Sequence, residues 1–304
     1  VAVLWFADKT GDPQMGHWRC TVSGMLSEQL TEAKAIRVLP AGAVDYAFRQ
    51  LDVKKGSSLD TEQARKMGEL IEAQRVVWGS YERQNDLWQV RAFVLNVARG
   101  EASGEVTVTS ADWFELRDKL AGQILAELGI KPSQSEQQKM SQQLRTSPGA
   151  LEWYSRSLAL QDDDKPFPEQ EESLRKALAA DPQFAKAHVG LAATLGSQGK
   201  FAEAEQAVRR ALELEPDCAG VHQVLGFLSL FLNRPAEAEQ ELRKAHNLDP
   251  DDSTPLIRLS ELYAAQQKWD EAIAFLDEAR ALDPTDAVVC ASLGLAYAQK
   301  RNRD

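Results

Sequence analysis

A single interval of 34 residues governs the second half of this chain. Prolines recur at that interval, at Pro182, Pro216, Pro250 and Pro284, and each follows an acidic residue. A leucine recurs in another register of the same period, at Leu191, Leu225, Leu259 and Leu293. Because four copies keep frame without an insertion, one supersecondary unit is repeated along the chain.

The residue types at the recurring positions are those of two antiparallel helices that touch. A small residue follows each recurrent leucine, at Ala192, Gly226, Ser260 and Gly294, where two backbones must approach closely. Proline lacks the N–H that a helix interior needs, so it ends one unit and opens the next. One helix pair cannot bury its apolar face alone, so the pairs must stack. The pattern resembles the tetratricopeptide repeat, which implies an all-α superhelical solenoid.

This resemblance covers residues 150–304. Full repeats are expected at residues 185–218, 219–252 and 253–286. A degenerate repeat is expected before them at 151–184, and a half repeat after them at 287–304. A linker with a short helix is expected at 131–149, where a polar, proline-containing stretch separates the two halves.

The first half of the chain has a different pattern, in which apolar runs of strand length alternate with helical periodicity. Strands are expected over residues 1–6, 35–39, 75–83, 87–97 and 105–109, and helices over 15–33, 42–51, 61–73 and 113–128. Asp60 and Asp112 are expected to cap two of these helices, with Gln63 completing a capping box. The order predicts an α/β domain over residues 1–130, with a mixed sheet and flanking helices.

Four motifs in this half, in order, resemble the amino-terminal domain of TolB and FlgO-like modules. They are VAVLWF at residues 1–6, LSEQL at 26–30, VWGSY at 77–81, and the Gly100-Glu101 turn after an apolar hairpin. Trp5 stands where the family has proline. Such domains commonly precede repeat arrays in bacterial proteins, and the resemblance favours an extracytoplasmic location. The family has no agreed catalytic residues, so none is carried over.

Charge and hydropathy restrict the classes of partner. The net charge is −11, and residues 150–304 hold 17 Lys and Arg against 27 Asp and Glu. A nucleic-acid partner would need a basic face, which this acidic half does not offer. No apolar run reaches the roughly 20 residues that span a bilayer. The chain starts at Val1 and stops inside a repeat, so we expect both ends to be trimmed from a longer protein.

No arrangement of side chains in the sequence predicts catalysis, a metal or a cofactor. His188 and His222 stand 34 residues apart, so equivalent places on successive repeats hold them too far apart to share one ion. Asp162, Asp163 and Asp164 lack the spacing of a calcium loop, and a solvated loop is the preferred interpretation. The chain itself is therefore predicted not to be an enzyme.

The most informative stretch for function is the first helix of the repeat at 219–252, which is apolar on every side. Phe227, Leu230 and Phe231 fall at registers that in this repeat family look into the concave groove. The predicted groove residues are Lys186, Val189, Phe227, Leu230, Phe231, Ile257 and Arg258. The alternative is that the aromatic side chains serve packing within the superhelix or against the first domain.

These observations predict a non-catalytic module that binds a partner peptide or protein in the groove. One alternative is the regulatory or sensor part of a larger bacterial signalling protein with a kinase, cyclase or winged-helix domain. In that case the α/β domain would bind a ligand or form a homo-oligomer. A second alternative, by analogy with FlgO-like relatives, is a cell-envelope assembly factor.

Overall fold

The computed structural model of the protein describes residues 1–142, 146–163, 165–282, 284 and 286–301. Four predicted features lie outside these residues: Leu144 at the end of the linker helix, Asp164 of the acidic loop, Asp283 before the fourth proline, and residues 302–304 of the half repeat. The chain divides into two compact units, Val1–Pro148 and Gly149–Asp304.

The first unit is built on a mixed sheet. Its strands are β1 (Ala2–Val3), β2 (Ala7–Asp8), β3 (Arg75–Gln84), β4 (Leu87–Asn96), β5 (Glu101–Ala102) and β6 (Val106–Ser110). β1 and β2 both pair in parallel with β3, which forms an antiparallel hairpin with β4, and β4 then pairs with β5 and β6. The hairpin turn uses positive φ angles at Asn85 and Asp86, two residue types that tolerate this conformation.

Helices cover both faces of this sheet. The flanking helices are α1 (Trp18–Thr31), α2 (Ala41–Gln50), α3 (Thr61–Leu70) and α4 (Trp113–Glu127), and α5 (Gln134–Gln142) follows them in the chain. α2 and α3 pack with Val76 and Trp78 on one face. On the other face, the rings of Trp18, Trp88 and Trp113 lie 4.6–5.2 Å apart, centroid to centroid. Alternate residues of the β3–β4 hairpin therefore enter two separate apolar layers.

The predicted helix caps are formed. The side chain of Asp60 accepts from the backbone N–H of Gln63, whose own side chain closes the capping box. The Asp112 carboxylate accepts from the N–H groups of Phe114 and Glu115 at the start of α4. Both carboxylates satisfy N–H groups that a helix start leaves without partners.

Two strand predictions need correction. The run at residues 1–6 does not form one strand, because only β1 and β2 pair as strands and residues 4–6 connect them. The strand predicted over residues 35–39 is wrong: these residues form a turn and irregular chain. They meet the start of the first strand at Val1, whose amino group donates to the Arg37 carbonyl and whose carbonyl accepts from the Leu39 N–H. Pro40 follows at once, has no N–H with which to extend a ladder, and precedes α2.

The second unit is all-helical. Its described helices are α6 (Pro148–Asp162), α7 (Phe167–Ala180), α8 (Ala185–Ser197), α9 (Phe201–Leu214), α10 (Ala219–Phe231), α11 (Pro235–Leu248), α12 (Thr254–Ala265), α13 (Trp269–Leu282) and α14 (Ala287–Arg301). From α8 onward they alternate as the first and second helix of each 34-residue unit. The predicted fold class, a mixed α/β sheet followed by a helical solenoid, is confirmed.

Close packing between the two helices of a repeat explains the recurrent small residues. A Cβ placed on Gly226 would lie 2.6 Å from the Leu242 side chain on α11, so only hydrogen fits there. Leu242 is fully buried, between alanines that recur in the same registers in each repeat. Those alanines are Ala204, Ala211, Ala238, Ala245, Ala272 and Ala279. Every repeat thus buries the same narrow seam of small and large residues.

The equivalent histidines stabilise the turns between repeats. His188 Nε2 donates to the carbonyl oxygen of Pro182 at 3.0 Å, and His222 Nε2 donates to that of Pro216 at 2.8 Å. His222 is buried, and its Nδ1 lies 2.5 Å from Glu241 Oε2 on α11. Each ring therefore satisfies a carbonyl in the turn just before its own repeat, which the 34-residue spacing alone did not reveal.

Candidate functional site

Three aromatic rings form a continuous surface on the second unit, here called the aromatic patch: Phe201, Phe227 and Phe231. Phe227 and Phe231 stand four residues apart, so α10 presents them on one side, with ring centroids 4.8 Å apart. Phe201, at the start of α9, stacks on Phe231 at 5.5 Å and 21°. Phe231 keeps 58% of its surface exposed, so the patch has an open apolar face.

Phe227, the inner ring of the patch, lies between Gly196 of α8 and Arg258 of α12. A Cβ on Gly196 of α8 would lie 3.3 Å from Phe227 Cε1, so this glycine makes room for the ring. The guanidinium carbon of Arg258 lies 5.3 Å from the centroid of the same ring. Arg258 Nη1 also donates to both carboxylate oxygens of Glu261, each at 2.9 Å. The cation is therefore oriented by a carboxylate and adds a cation–π contact to Phe227.

Two other predicted groove residues lie deeper. Leu230 is partly buried against the cluster of Leu242, Leu259 and Leu262. Ile257 is partly buried against the apolar cluster between α12, α13 and α14. Both side chains contribute to packing between repeats, and the surface they leave to a ligand is smaller than that of Phe231.

The remaining two predicted residues lie near the start of α8, and each is half-buried. A Cβ on Gly220 of α10 would lie 3.8 Å from Val189 Cγ1, which brings Val189 next to the following repeat. Lys186, three residues earlier, is the basic residue at this end of α8. The structure thus assembles Phe227, Phe231 and Arg258 into one cluster.

Sequence reasoning missed two exposed apolar residues in the same registers. Leu295 on α14 stands two periods after Phe227 and is 62% exposed. Val288 stands three periods after Lys186 and is 59% exposed. The 34-residue period was the available signal, because extending the groove registers into the half repeat reaches both positions.

A ladder of ion pairs, also missed, links successive repeats on their second helices. Glu171, Glu205 and Glu239 stand one period apart, and each pairs with an arginine four residues later. Lys200 donates to Glu171 at 2.8 Å, and Arg234 donates to Glu205 at 3.0 Å, each from the following repeat. In the next repeat, the Tyr263 hydroxyl donates to Glu239 at 2.7 Å instead.

These contacts lower the pKa of all three carboxyl groups. The largest cause is the hydrogen bond from Lys200 for Glu171, from Arg209 for Glu205 and from Tyr263 for Glu239. Each carboxylate is stabilised because its neighbours donate to the charged form. The ladder links adjacent repeats, so it has a structural role.

Of the residues that the structure describes, no three His, Cys, Asp or Glu side chains gather closely enough to hold a metal ion. Cys20 is buried in the first unit, whereas Cys290 is exposed on α14. Within the described ranges, no helix combines the length and the hydropathy needed to cross a bilayer. The geometry of the second unit offers an apolar contact surface.

Comparison with known proteins finds a family that the repeats resemble. The family model described as tetratricopeptide repeat matches residues 171–226 and 232–295. No curated protein matches the sequence.

Several solved structures resemble the chain at low identity. PilF of Pseudomonas aeruginosa is 22% identical, with 51% of this chain and 70% of that chain covered and a TM-score of 0.45. TTC0263, a tetratricopeptide-repeat protein of Thermus thermophilus, is 17% identical, with 61% and 91% covered and a TM-score of 0.45. YrrB, described as a repeat protein with an unusual peptide-binding site, is 22% identical, with 51% and 79% covered and a TM-score of 0.38.

Proposed function

Because the second unit consists of tetratricopeptide repeats, we propose that it is a non-catalytic interaction module that holds a segment of a partner protein on the aromatic patch. Repeats of this family typically serve protein interaction. The observation that carries the proposal is Phe231, whose ring stacks on Phe201, packs at a tilt against Phe227 and still exposes 58% of its surface.

The energetics of the patch favour a bound apolar side chain. Covering a large apolar side chain contributes about 1.5–3 kcal/mol. The ring is also held in place by its two aromatic neighbours, so little conformational entropy is lost when a ligand covers it. Exposed clusters of aromatic side chains on a helical scaffold are typical of the anchor residues in protein interfaces.

The surroundings of the patch suggest the chemistry of the partner. Arg258 and Glu261 lie beside Phe227 and can orient a polar backbone, while Val288 and Leu295 occupy the same groove registers further along. The acidic balance of residues 150–304, with 27 Asp and Glu against 17 Lys and Arg, favours basic residues around the apolar anchor. The expected ligand is a peptide segment with one aromatic or aliphatic anchor and basic flanks.

A display library of random peptides, screened against the full chain, tests the proposal. Peptides with an apolar anchor should be enriched and should bind in saturable titrations. Phe231→Ser should weaken them by about tenfold, which corresponds to roughly 1.4 kcal/mol. The single variant is preferred to one at Phe227, because Phe227 also fills the space beside Gly196.

Leu248→Ser provides the matched control, since Leu248 is also an exposed apolar residue, at 39%, and lies at the end of second helix α11. Its affinity for the selected peptides should equal that of the unmodified chain. If the two variants lose affinity equally, or if selected peptides bind a fragment without the repeats, the aromatic patch is not the binding surface.

A further inference from the structure

The sheet of the first unit ends on one side at β6. β4 pairs with β3 along one of its sides over its whole length, and with β5 and β6 along the other. β6 pairs with β4 and with no other strand among the described residues, which include all of 101–112. The outer side of Val106–Ser110 is here called the β6 edge.

Backbone hydrogen bonds around β4 show to which side each of its residues bonds. Val97 N–H donates to the Gln74 carbonyl, toward β3, whereas the Val94 carbonyl accepts from Ser103 N–H on the other side. Because the backbone groups of successive strand residues point to opposite sides, odd-numbered residues of β4 bond toward β3. The even-numbered residues of β4 therefore bond toward β5 and β6.

The residues of β6 consequently alternate in the direction of their backbone groups. Val106, Val108 and Ser110 stand opposite even-numbered residues of β4 and bond to that strand. Thr107 and Thr109 direct their N–H and C=O groups outward, and their side chains are exposed as well. The β6 edge therefore offers the backbone donors and acceptors of two threonines to another strand.

The opposite side of the sheet is treated differently, because its backbone groups bond to other parts of the first unit. Leu39 N–H donates to the Val1 carbonyl beside β1 at 2.8 Å. Between β1 and β2, Ser23 Oγ donates to the Leu4 carbonyl at 3.1 Å and accepts from the Phe6 N–H at 3.3 Å. The contrast leaves the β6 edge as the side on which the sheet can be extended.

The β6 edge also lacks the features that usually prevent pairing between edges. Edge strands are commonly protected by lysine, by proline or by a bulge within the strand. β6 reads VTVTS and contains neither lysine nor proline. The bulge lies before β6, because Asn96 stands opposite Glu101 and Ala92 opposite Val106, which leaves one extra residue on the edge strand between them.

We propose that the β6 edge pairs with the β6 edge of a second copy of this chain, antiparallel and about a two-fold axis at Thr107. Two-fold symmetry brings the same surface of both copies into contact, so that an edge pairs with itself. Thr107 would stand opposite Thr107 of the second copy, and Glu105 opposite Thr109, so that the outward N–H and C=O groups bond to each other. One sheet would then continue through both copies.

The side chains at the β6 edge are compatible with a copy of themselves. A lysine or a row of one charge would repel its own copy, but both outward-facing residues of β6 are threonine. The charged neighbour, Glu105, accepts from Thr107 Oγ1 at 2.6 Å and lies 3.8 Å from Arg91 Nε, so its charge is compensated within one copy. The proposed register places hydroxyl groups opposite a hydroxyl or a carboxylate, and no like charges directly opposite.

Sedimentation equilibrium of the full chain tests the association. A contact between two short strands is small for an interface, so the average mass should rise toward that of a dimer as the concentration is raised to about 500 μM. Thr107→Pro removes an outward N–H and no bond to β4, and should weaken the dimer at least about tenfold, or about 1.4 kcal/mol. Thr107→Val is the matched control, because it keeps that N–H and a branched side chain, and should associate like the unmodified chain.

Disulfide cross-linking tests the register without depending on the proline variant. In a chain with Cys218→Ser and Cys290→Ser, Thr107→Cys should form a covalent dimer on mild oxidation, because directly opposite residues of a hydrogen-bonded pair have Cα atoms about 5.5 Å apart. Thr109→Cys is the control and should not cross-link, since the two copies of that position would be about 14 Å apart along the strands. Phe231→Ser separates this edge from the aromatic patch and should leave the dimer unchanged.

Three outcomes would overturn the proposal. The first is a monomeric mass over the whole concentration range, and the second is equal association of the Thr107→Pro and Thr107→Val variants, both with unchanged tryptophan fluorescence. The third is cross-linking of Thr109→Cys that equals or exceeds that of Thr107→Cys, because the two edges would then not meet about Thr107.

Discussion

The two units of this protein bury their cores by opposite means. In the first unit, β1 pairs with β3 across more than 70 residues of sequence, with Ala2 opposite Val76. In the second unit, each helix packs against its sequence neighbours, and the same registers are used again every 34 residues. The stability of a repeat array is approximately a sum of contributions from each repeat and its neighbours. A sheet whose paired strands are distant in sequence is expected to unfold as one unit.

Three glycines allow a direct test of this comparison, because the same residue type stands in three different environments. A Cβ on Gly79 of β3 would lie 1.9 Å from the carbonyl oxygen of Arg91, on the paired strand. On Gly226 it would meet a side chain at 2.6 Å, and on Gly294 it would meet nothing described within 4 Å. The cost of one added methyl group should therefore fall along this series and change sign at its end.

The largest effect is expected from Gly79→Ala. Because the obstacle is backbone within the central hairpin, the sheet must deform, at a cost on the order of 4 kcal/mol. Urea unfolding followed by tryptophan fluorescence measures this, since five of the seven tryptophans lie in the first unit. Gly24→Ala, with nothing within 4 Å, is the control, and an equal loss in both variants would contradict the interpretation.

A smaller and more local effect is expected from Leu242→Ala. This side chain is fully buried against Gly226 and the cluster with Leu259 and Leu262, so truncation leaves a cavity and costs about 3 kcal/mol. Hydrogen exchange should show the loss in α10, α11 and α12 and little change in the first unit. A uniform loss of hydrogen-exchange protection throughout the chain would contradict this expectation, because it would show that the repeats do not contribute to stability locally.

The variants Gly226→Ala and Gly294→Ala should change the free energy of unfolding in opposite directions. The first forces the Leu242 side chain to move and should destabilise by about 1–3 kcal/mol. The second replaces glycine at an open position within α14 and should stabilise by up to about 1 kcal/mol through helix propensity. Thermal unfolding followed by circular dichroism distinguishes them, and a loss of stability in both would mean that α14 is covered after all.

The smallest effect concerns the ladder of Glu171, Glu205 and Glu239. The pKa of each carboxyl group is lowered in the folded protein, so its stabilisation is present above the unfolded value of about 4.5. That stabilisation is lost as the pH falls through the folded pKa. Because the groups are solvent-screened, each contributes about 0.5 kcal/mol at most.

Urea unfolding of the variant with Gln at all three positions tests this. It should be less stable than the unmodified chain at neutral pH, and the difference should disappear in acid. High salt at neutral pH should also reduce the difference, since screening weakens surface pairs. A difference that persists unchanged at acid pH would show that the carboxylates do not stabilise through their charge.

Prediction from the sequence succeeded at positions where local chemistry alone determines which residue type is needed. The capping box at Asp60 and Gln63 and the small residue at Gly226 follow from local chemistry, and both are present. The prediction of a strand at residues 35–39 was wrong because a strand needs a paired strand along its length. Apolar periodicity in the sequence does not show whether such a paired strand exists. Phe231 was identified as a groove candidate, but its exposure beside a deeper Leu230 required the packing of the neighbouring repeat.

The sequence by itself determined the repeat period, the helix pairs and the residue types at their seams, because these follow from contacts within one 34-residue unit. Tertiary structure alone decided which positions remain open: the ring of Phe231 in the aromatic patch, and Gly294 on α14, where an added Cβ has no described atom within 4 Å. The physical reason is that exposure depends on what neighbouring elements cover, so two residues in the same register, such as Gly226 and Gly294, meet different surroundings.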